Sequence, residues 1–404
     1  MPRYYSAQEA SKKLGVSKNT LYAYVSRGLI RSEPVSPGHR SSRYHALDVD
    51  RLATRSGVHK APAQALQGAT DWGAPIMESA ITLIGDETFY YRGQAVPDLA
   101  ETGSFEQTVA LLWDTLATAL PQPEPGLQKS VENKVRGMSA EAPIDQFLAL
   151  LALLNQQDAA AFRFTSQTTI GAGVLMTAAF LRVITGHWPH GPVAEHLAAA
   201  WQRDSAAQAL INSTLILTAD HELNLASFTA RCAASAGCSP YAAVAAATHT
   251  FFGRRHGGNT ERIRGLLHEA DGRGSLYEAI ASRIKRGDPV PGFGHRLYNR
   301  DPRASFLLSR LPDQSGYITQ ALTASDELLA GAYPTIDFAV IMLEKELALP
   351  EQAGTHLFYL GRLSGLTAHV LEQYNQNRPI RPRAQYVGVA PNRENEQRDS
   401  HDPS

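Results

Sequence analysis

The residues from Pro291 to Arg303, P-G-F-G-H-R-L-Y-N-R-D-P-R, put an imidazole and a guanidinium into one short loop. Gly292 and Gly294 flank Phe293, so the backbone can turn tightly there and approach a ligand closely. His295 follows at once. Arg303 stands behind Asp301-Pro302, a stiff corner, because proline fixes its own φ and restricts the residue before it. The pairing suits a small anionic substrate whose carbonyl must be polarised. It is not a dinucleotide fingerprint, since Leu297 stands where that motif needs its third glycine. Taken alone, the stretch also fits a surface loop that carries a histidine.

Four more clusters hold residue types that do chemistry: Asp220-His221-Glu222-Leu223-Asn224, Arg254-Arg255-His256-Gly257-Gly258-Asn259, Tyr333-Pro334-Thr335-Ile336-Asp337-Phe338, and Arg362 in G-R-L-S-G-L-T-A-H with Arg381-Pro382-Arg383 behind it. Each has a plain explanation by itself. A histidine in a helical protein is most often a structural hydrogen-bonder, an Asp at that position can cap a helix start, and arginines near the end of a chain usually face water. Their order and wording together, however, resemble the citrate synthase family: D-H-E-x-N, H-G-G, G-x-G-H with D-P-R, Y-P-x-x-D-F, R-x-x-G-x-x-A-H and R-P-R, from about Trp72 to Gly388.

That resemblance implies a set of roles. Asp337 is expected to remove a proton from the methyl group of an acyl-CoA, His256 to hydrogen-bond the thioester oxygen, and His295 to bind and protonate the ketone of oxaloacetate. His221 becomes an oxaloacetate contact. Arg303, Arg362 and Arg381 become carboxylate clamps, Arg381 reaching in from a second subunit. The chemistry is coherent. A carboxylate base works on a weakly acidic proton only where a dry pocket raises its pKa and a neutral imidazole meets the developing charge. Arginine holds a dicarboxylate in a fixed plane better than lysine does. No metal or cofactor is expected, acetyl-CoA or propionyl-CoA being a substrate. Three departures stand out. The step from His295 to Arg303 is one residue shorter than in many members, which makes Arg300 an alternative clamp or a CoA phosphate contact. Arg254-Arg255 replace a proline and a small or apolar residue. H-G-G-N-T-E replaces H-G-G-A-N-E, altering Asn259 and Thr260 in the region of the hinge expected at Gly257-Gly258.

The elements that must position these residues read as mainly α: a citrate synthase-like pair of helical domains, large and small, preceded by a small winged helix-turn-helix domain. The chain has 404 residues, 43% of them hydrophobic, enough for a large core, and two cysteines, too few for a disulfide framework. Cys232 and Cys238 are expected as small buried apolar residues. Phe105, Val109, Leu112, Leu116 and Leu120 predict one helix face behind Ser104. Further helices are expected at 146–155, 171–185 and 193–202, and a hairpin around Gly85-Asp86. The longest aliphatic run, Phe147–Leu154, is too short to span a bilayer. No signal core precedes the first helix, so a cytoplasmic protein without membrane contact is expected.

Charge is uneven. Residues 1–60 carry eleven Lys and Arg against four Asp and Glu, a net of +7 that leaves −8 for the rest. Ser6 caps an expected helix 7–14 closed by Gly15, and Ser17 caps another at 18–27 closed by Gly28, the spacing of a helix-turn-helix. Ala10, Leu14, Leu21 and Val25 are its core, residues 34–44 a basic wing, and 48–52 a closing helix. The head resembles the MerR or excisionase type. Lys18, Arg27, Arg40 and Arg43 are expected on phosphates, with Asn19 and Tyr22 on the base-reading helix. The alternative is a small basic domain that contacts protein. The expected organisation is therefore 1–55 DNA-binding head, 56–72 linker, 73–258 with 347–391 large domain, 259–346 small domain and 392–404 disordered tail, assembled as a homodimer. Two functions of different class compete: condensation of oxaloacetate with acetyl-CoA (or with propionyl-CoA, giving 2-methylcitrate), and a transcription regulator that senses the same ligands.

Overall fold

The computed structural model describes residues 4–27, 29–34, 42–46, 48–49, 77–85, 88–116, 125–138, 141–384 and 386–389. The expected linker 56–72, the tail 392–404, Arg40, Gly28 and most of the wing lie outside the described residues. Two compact units divide the chain, one of residues 78–380 and one that holds the head.

In the head, β1 (Tyr4–Ser6) leads into α1 (Ala7–Leu14) and α2 (Lys18–Ser26), followed by β2 (Ser32–Pro34) and β3 (Ser42–His45). Ser6 and Glu9 form a reciprocal capping box, and Gly15 ends α1 at φ 63°. The Ser17 hydroxyl accepts the Thr20 N–H to start α2. The strands form an antiparallel sheet of order β1-β3-β2, with Tyr5 opposite Tyr44. Ala10, Leu14 and Leu21 are buried with Tyr5, Ile30, Tyr44, Ala46 and Val49, and Val25 packs on that cluster half-buried. Burying Leu21 fully contributes about 1.5–3 kcal/mol.

The second unit opens with a small antiparallel meander, β4 (Thr82–Ile84), β5 (Phe89–Tyr91) and β6 (Gln94–Ala95). Helices follow: α3 (Val96–Thr102), α4 (Phe105–Trp113), α5 (Pro125–Gly137), α6 (Pro143–Gln157), α7 (Ser166–Thr185), α8 (Val193–Ala200), α9 (Ser205–Thr218), α10 (Leu225–Ser235) and α11 (Pro240–Phe251). Then come α12 (Asn259–Arg273), α13 (Leu276–Arg286), α14 (Pro302–Leu308), α15 (Tyr317–Glu327), α16 (Ile336–Glu346) and α17 (Ala353–Gln376). The helix expected through Leu120 stops at Trp113, because Asp114 turns left-handed at φ 54° and takes the final carbonyls. Leu116 is consequently 89% exposed, and Leu120 lies outside the described residues. Cys232 and Cys238 are free and only half-buried.

The axis of this unit is α17, whose side chains are buried on every face from Ala353 to Leu371. It packs against α4, α7, α9, α10, α11 and α16. Two glycines allow the tightest approach. A Cβ on Gly361 would sit 2.3 Å from the Thr218 hydroxyl, and one on Gly365 would sit 2.3 Å from the Ala219 carbonyl. The C-terminal end of α9, where the His221 turn begins, therefore lies directly on α17. Among the described helices, α7 alone has the length and apolarity to cross a membrane, a signal the aliphatic runs miss because Thr and Gly interrupt it. Here it packs on α6, α11 and α17.

Candidate active site

Two loops carry the site residues of the C-terminal half, and backbone pairing joins them. Gly294 N–H donates to the Tyr333 carbonyl at 2.9 Å, Thr335 N–H donates to the Gly292 carbonyl at 2.8 Å, and Phe293 bridges Pro334. Gly292 and Gly294 adopt φ 88° and 75°, which explains both glycines of the loop. His295 is thereby held beside the first turn of α16, where Asp337 stands.

Asp301 completes the joint. It caps α14, and its carboxylate takes Arg303 Nε and Nη2 at 2.9 Å each as well as the Ile336 N–H at 3.0 Å. Burial opposes charging either partner, but mutual attraction outweighs it: the Asp301 pKa lies below, and the Arg303 pKa above, its ordinary value. Arg303 Nη2 comes within 3.4 Å of His295 Nε2. The shortened loop thus still delivers Arg303 to His295. Arg300 instead rests on Tyr333, its guanidinium 4.4 Å from the ring centroid.

The imidazoles are tuned to be neutral. Burial, then Arg303, pushes the pKa of His295 down to about 4. Its Nδ1 accepts the Leu297 N–H at 3.1 Å. The proton of the neutral ring therefore belongs on Nε2, where it and Arg303 Nη2 are two donors side by side, poised for one oxygen acceptor. His256 is also pushed down to about 4, by burial and then Arg362. Its Nε2 meets Asn224 Oδ1 at 3.2 Å, an oxygen that already accepts the Ala226 and Ser227 N–H groups as the cap of α10. Because that atom only accepts, His256 must donate from Nε2. His221 lies well below the ordinary value through burial and then Arg303. Its ring centroid is 5.4 Å from that of His295, and its Nε2 is 3.0 Å from the Tyr298 hydroxyl.

Asp337 is the opposite case. Burial pushes its pKa up to about 6, against the pull of Arg303. Thr335 Oγ1 donates to its Oδ2 at 3.4 Å. Arg362 is 1% exposed and anchored by Nε on the Thr218 carbonyl at 3.1 Å. Among the described residues it has no ion-pair partner, and burial lowers its pKa. A buried cation that Asp220 and Asp337 help only from a distance invites an anion. Behind it, Asp220 and His369 are fully buried, 3.3 Å apart, with Thr82 Oγ1 donating to Asp220 at 2.6 Å.

His221, His295, Arg303, Arg362, Asp337 and His256 are thus linked by contact or by electrostatic influence on one another. Arg381 is exposed and falls outside the 78–380 unit. Thr260 is 1% exposed, donates to the Gly257 carbonyl at 2.9 Å and accepts from Thr355 at 3.0 Å, so the altered H-G-G-N-T-E wording is absorbed by a hydroxyl chain. Arg254 and Arg255 are exposed. In the head, Lys18, Asn19, Tyr22 and Arg27 are exposed on or just after α2. Arg43 is partly engaged, pairing with Glu33 at 3.2 Å and covering Tyr4. Asn224 and Tyr298 have no role legible in the sequence, and Asp301 is legible there only as the corner that places Arg303. The motif wording marks the neighbourhood, but Asn224 meets His256, Tyr298 meets His221 and Asp301 meets Ile336 only through the fold.

Comparison with known proteins agrees with this geometry. The citrate synthase C-terminal domain family matches residues 68–383, and a helix-turn-helix domain family matches residues 4–56. Citrate synthase 2 of Bacillus subtilis is 28% identical over 78% of this chain and 94% of its own. The citrate/2-methylcitrate synthase of the same organism is 28% identical over 74% and 89%. The ternary complex of carboxymethyl coenzyme A and oxaloacetate with citrate synthase from Thermoplasma acidophilum superposes with a TM-score of 0.66, at 25% identity, over 79% of this chain and 95% of that one. With a family match across most of its length and its acid, imidazole and guanidinium groups gathered at one site, the chain belongs to the citrate synthase family of acyltransferases.

Proposed function

We propose that this chain condenses oxaloacetate with acetyl-CoA and hydrolyses the product to citrate and CoA. The observation that carries the reading is the backbone joint of the 292–294 and 333–335 loops, which brings His295 and Arg303 to the helix turn of Asp337, in a site where the carboxyl is raised to about 6 and the His295 and His256 imidazoles are lowered to about 4. In this scheme Asp337, charged at neutral pH yet unusually basic, takes a proton from the acyl methyl group. His256 donates a hydrogen bond from Nε2 to the thioester oxygen as negative charge develops there, exchanging Asn224 for the substrate. The enol carbon then attacks the oxaloacetate ketone, whose oxygen is met by His295 Nε2–H and Arg303 together. Water finally cleaves the thioester and releases CoA. Arg303 and Arg362 bind the carboxylates, and Arg381 is assigned to the site of a partner subunit, which makes the working form a homodimer. Both reactants must be enclosed before the proton moves, so residues 259–346 are proposed to close on the large domain about Gly257-Gly258.

The acyl group is read as acetyl, with propionyl the alternative. One methylene changes discrimination by only about 1–3 kcal/mol. The test is free-thiol release from acetyl-CoA and from propionyl-CoA, each with and without oxaloacetate. Oxaloacetate-dependent release supports the reading and the faster substrate names it. Release from neither, by folded protein, sinks it.

A second activity is favoured by the helix-turn-helix match and the +7 charge of residues 1–60. The head is proposed to bind DNA in the cytoplasm, Lys18, Arg27, Arg40 and Arg43 holding phosphates while Asn19 and Tyr22 face the bases. A purely sensory protein would need the arginines but not Asp337, so the retained base favours catalysis with DNA binding added to it.

A further inference from the structure

Tyr298 has no role above, yet it meets His295, Arg303 and His221. It is 5% exposed and stands between His295 and Arg303 in the chain. Its ring leans on His295, with centroids 4.9 Å apart at 34°, and Arg303 Cζ lies 5.9 Å from its centroid. Its hydroxyl is 3.0 Å from His221 Nε2, a residue 77 positions earlier.

We infer that Tyr298 is a positioning residue that sets the tautomer of His221 by donating its hydroxyl proton to Nε2. The inference rests on the proposed oxaloacetate site. His221 is buried among Arg303, Arg362 and two other histidines, surroundings that keep its ring neutral with a single N–H. Tyr298 occupies Nε2, so Nδ1 is the nitrogen left for substrate. A dicarboxylate with a ketone offers only acceptors to that nitrogen. The ring's one proton must then be on Nδ1, Nε2 must be a bare acceptor, and the phenol must be the donor. Burial raises the Tyr298 pKa, so that proton is retained across the working pH range. The result is a directed chain, Tyr298 O–H to His221 Nε2 and His221 Nδ1–H to substrate oxygen. Without the hydroxyl, the ring is free to place its proton on Nε2 and to turn a lone pair toward an anion.

Tyr298→Phe removes the hydroxyl and keeps the ring on His295. The expected result is a rise of about tenfold in the oxaloacetate KM, with kcat and the acyl-CoA KM within about threefold of wild type. Nitrogen-15 spectra of histidine-labelled wild-type protein, with the His221 signals identified from a His221→Gln sample, should show a protonated Nδ1 and a bare Nε2. In Tyr298→Phe the Nε2 signal should move toward the protonated position. A protonated Nε2 in wild type overturns the inference even if the variant fails to fold, and so does an unchanged oxaloacetate KM in active Tyr298→Phe. Failure of the function reading looks different: wild type releases no CoA, while the spectra still report the His221 tautomer.

Discussion

Asp301 holds Arg303 through both carboxylate oxygens while the same Oδ2 accepts the N–H of Ile336, the residue before Asp337. One buried carboxylate therefore sets the substrate cation and the start of the helix that carries the base. Asp301→Asn keeps the shape but turns an acceptor into an NH2 group against a guanidinium, and it strands a cation that is 2% exposed. Breaking such a buried pair costs about 3–5 kcal/mol. The unfolding midpoint in urea should fall accordingly, with a higher oxaloacetate KM in the folded fraction. A change under about 1 kcal/mol would show that the joint is not where the stability lies.

Asp337→Asn separates catalysis from binding. General-base removal lowers rate by on the order of 10²–10⁴-fold, whereas Arg303 and Arg362 are untouched. CoA release should fall by that factor, with oxaloacetate affinity by calorimetry within about threefold of wild type. Retained turnover would remove Asp337 from the mechanism.

The acid side of the pH profile follows from the same residue. Asp337 must be charged to act, and its pKa is about 6, so kcat should decline as pH falls through about 6. The imidazoles of His256 and His295 stay neutral down to about 4 and do not set that limb. Stability moves the same way for a different reason. A lowered histidine pKa means that the unfolded chain binds more protons between about 4 and 6.5, so stability rises with pH across that window. The raised Asp337 contributes the opposite slope between 3.8 and about 6. His221, His256, His295 and His356 are all lowered and outnumber it. Tm should be lower at pH 5 than at pH 7. An equal or higher Tm at pH 5 would mean that these rings are not buried neutral.

The sequence made the motif residues legible because their chemistry is local: glycines at positive φ, a proline corner, an Asp in the first turn of a helix. It also revealed the head, whose caps at Ser6 and Ser17 and apolar spacing lie within a few residues of each other. What stayed hidden was pairing across the chain. Nothing near Tyr298 announces His221, and nothing near Asn224 announces His256, 32 residues later. Asp301 reads as part of a stiff corner, whereas its carboxylate also takes the N–H of Ile336. The helix drawn through Leu120 failed for a local reason. Apolar spacing continued past Trp113, but an Asp that tolerates the left-handed conformation ended the helix there.

Gly365 gives a test of how closely α17 must approach the His221 turn. In Gly365→Ala the new Cβ would meet the Ala219 carbonyl at 2.3 Å and Asp220 Oδ1 at 2.5 Å, neither able to retreat without moving the turn. Overpacking of this kind costs about 1–3 kcal/mol. The variant should unfold at lower temperature and bind oxaloacetate more weakly, because His221 is the next residue. Normal binding in a destabilised variant would show that the turn relaxes without carrying His221 along.

DNA binding by the head is best tested through its salt dependence. Each phosphate neutralised by a cation releases a counterion, so the slope of log K against log salt counts the contacts. Lys18 and Arg27 are exposed at opposite ends of α2. Lys18→Ala and Arg27→Ala in the full chain should each flatten the slope by about one. Asn19→Ala should leave the slope unchanged and instead narrow the gap between preferred and random duplex, since an amide reads a base edge and adds no charge. Equal effects of all three on the slope would contradict this division of labour. No binding of wild type to duplex at low salt, where phosphate contacts are strongest, would leave residues 4–56 as a protein-contact domain on a citrate synthase-family enzyme.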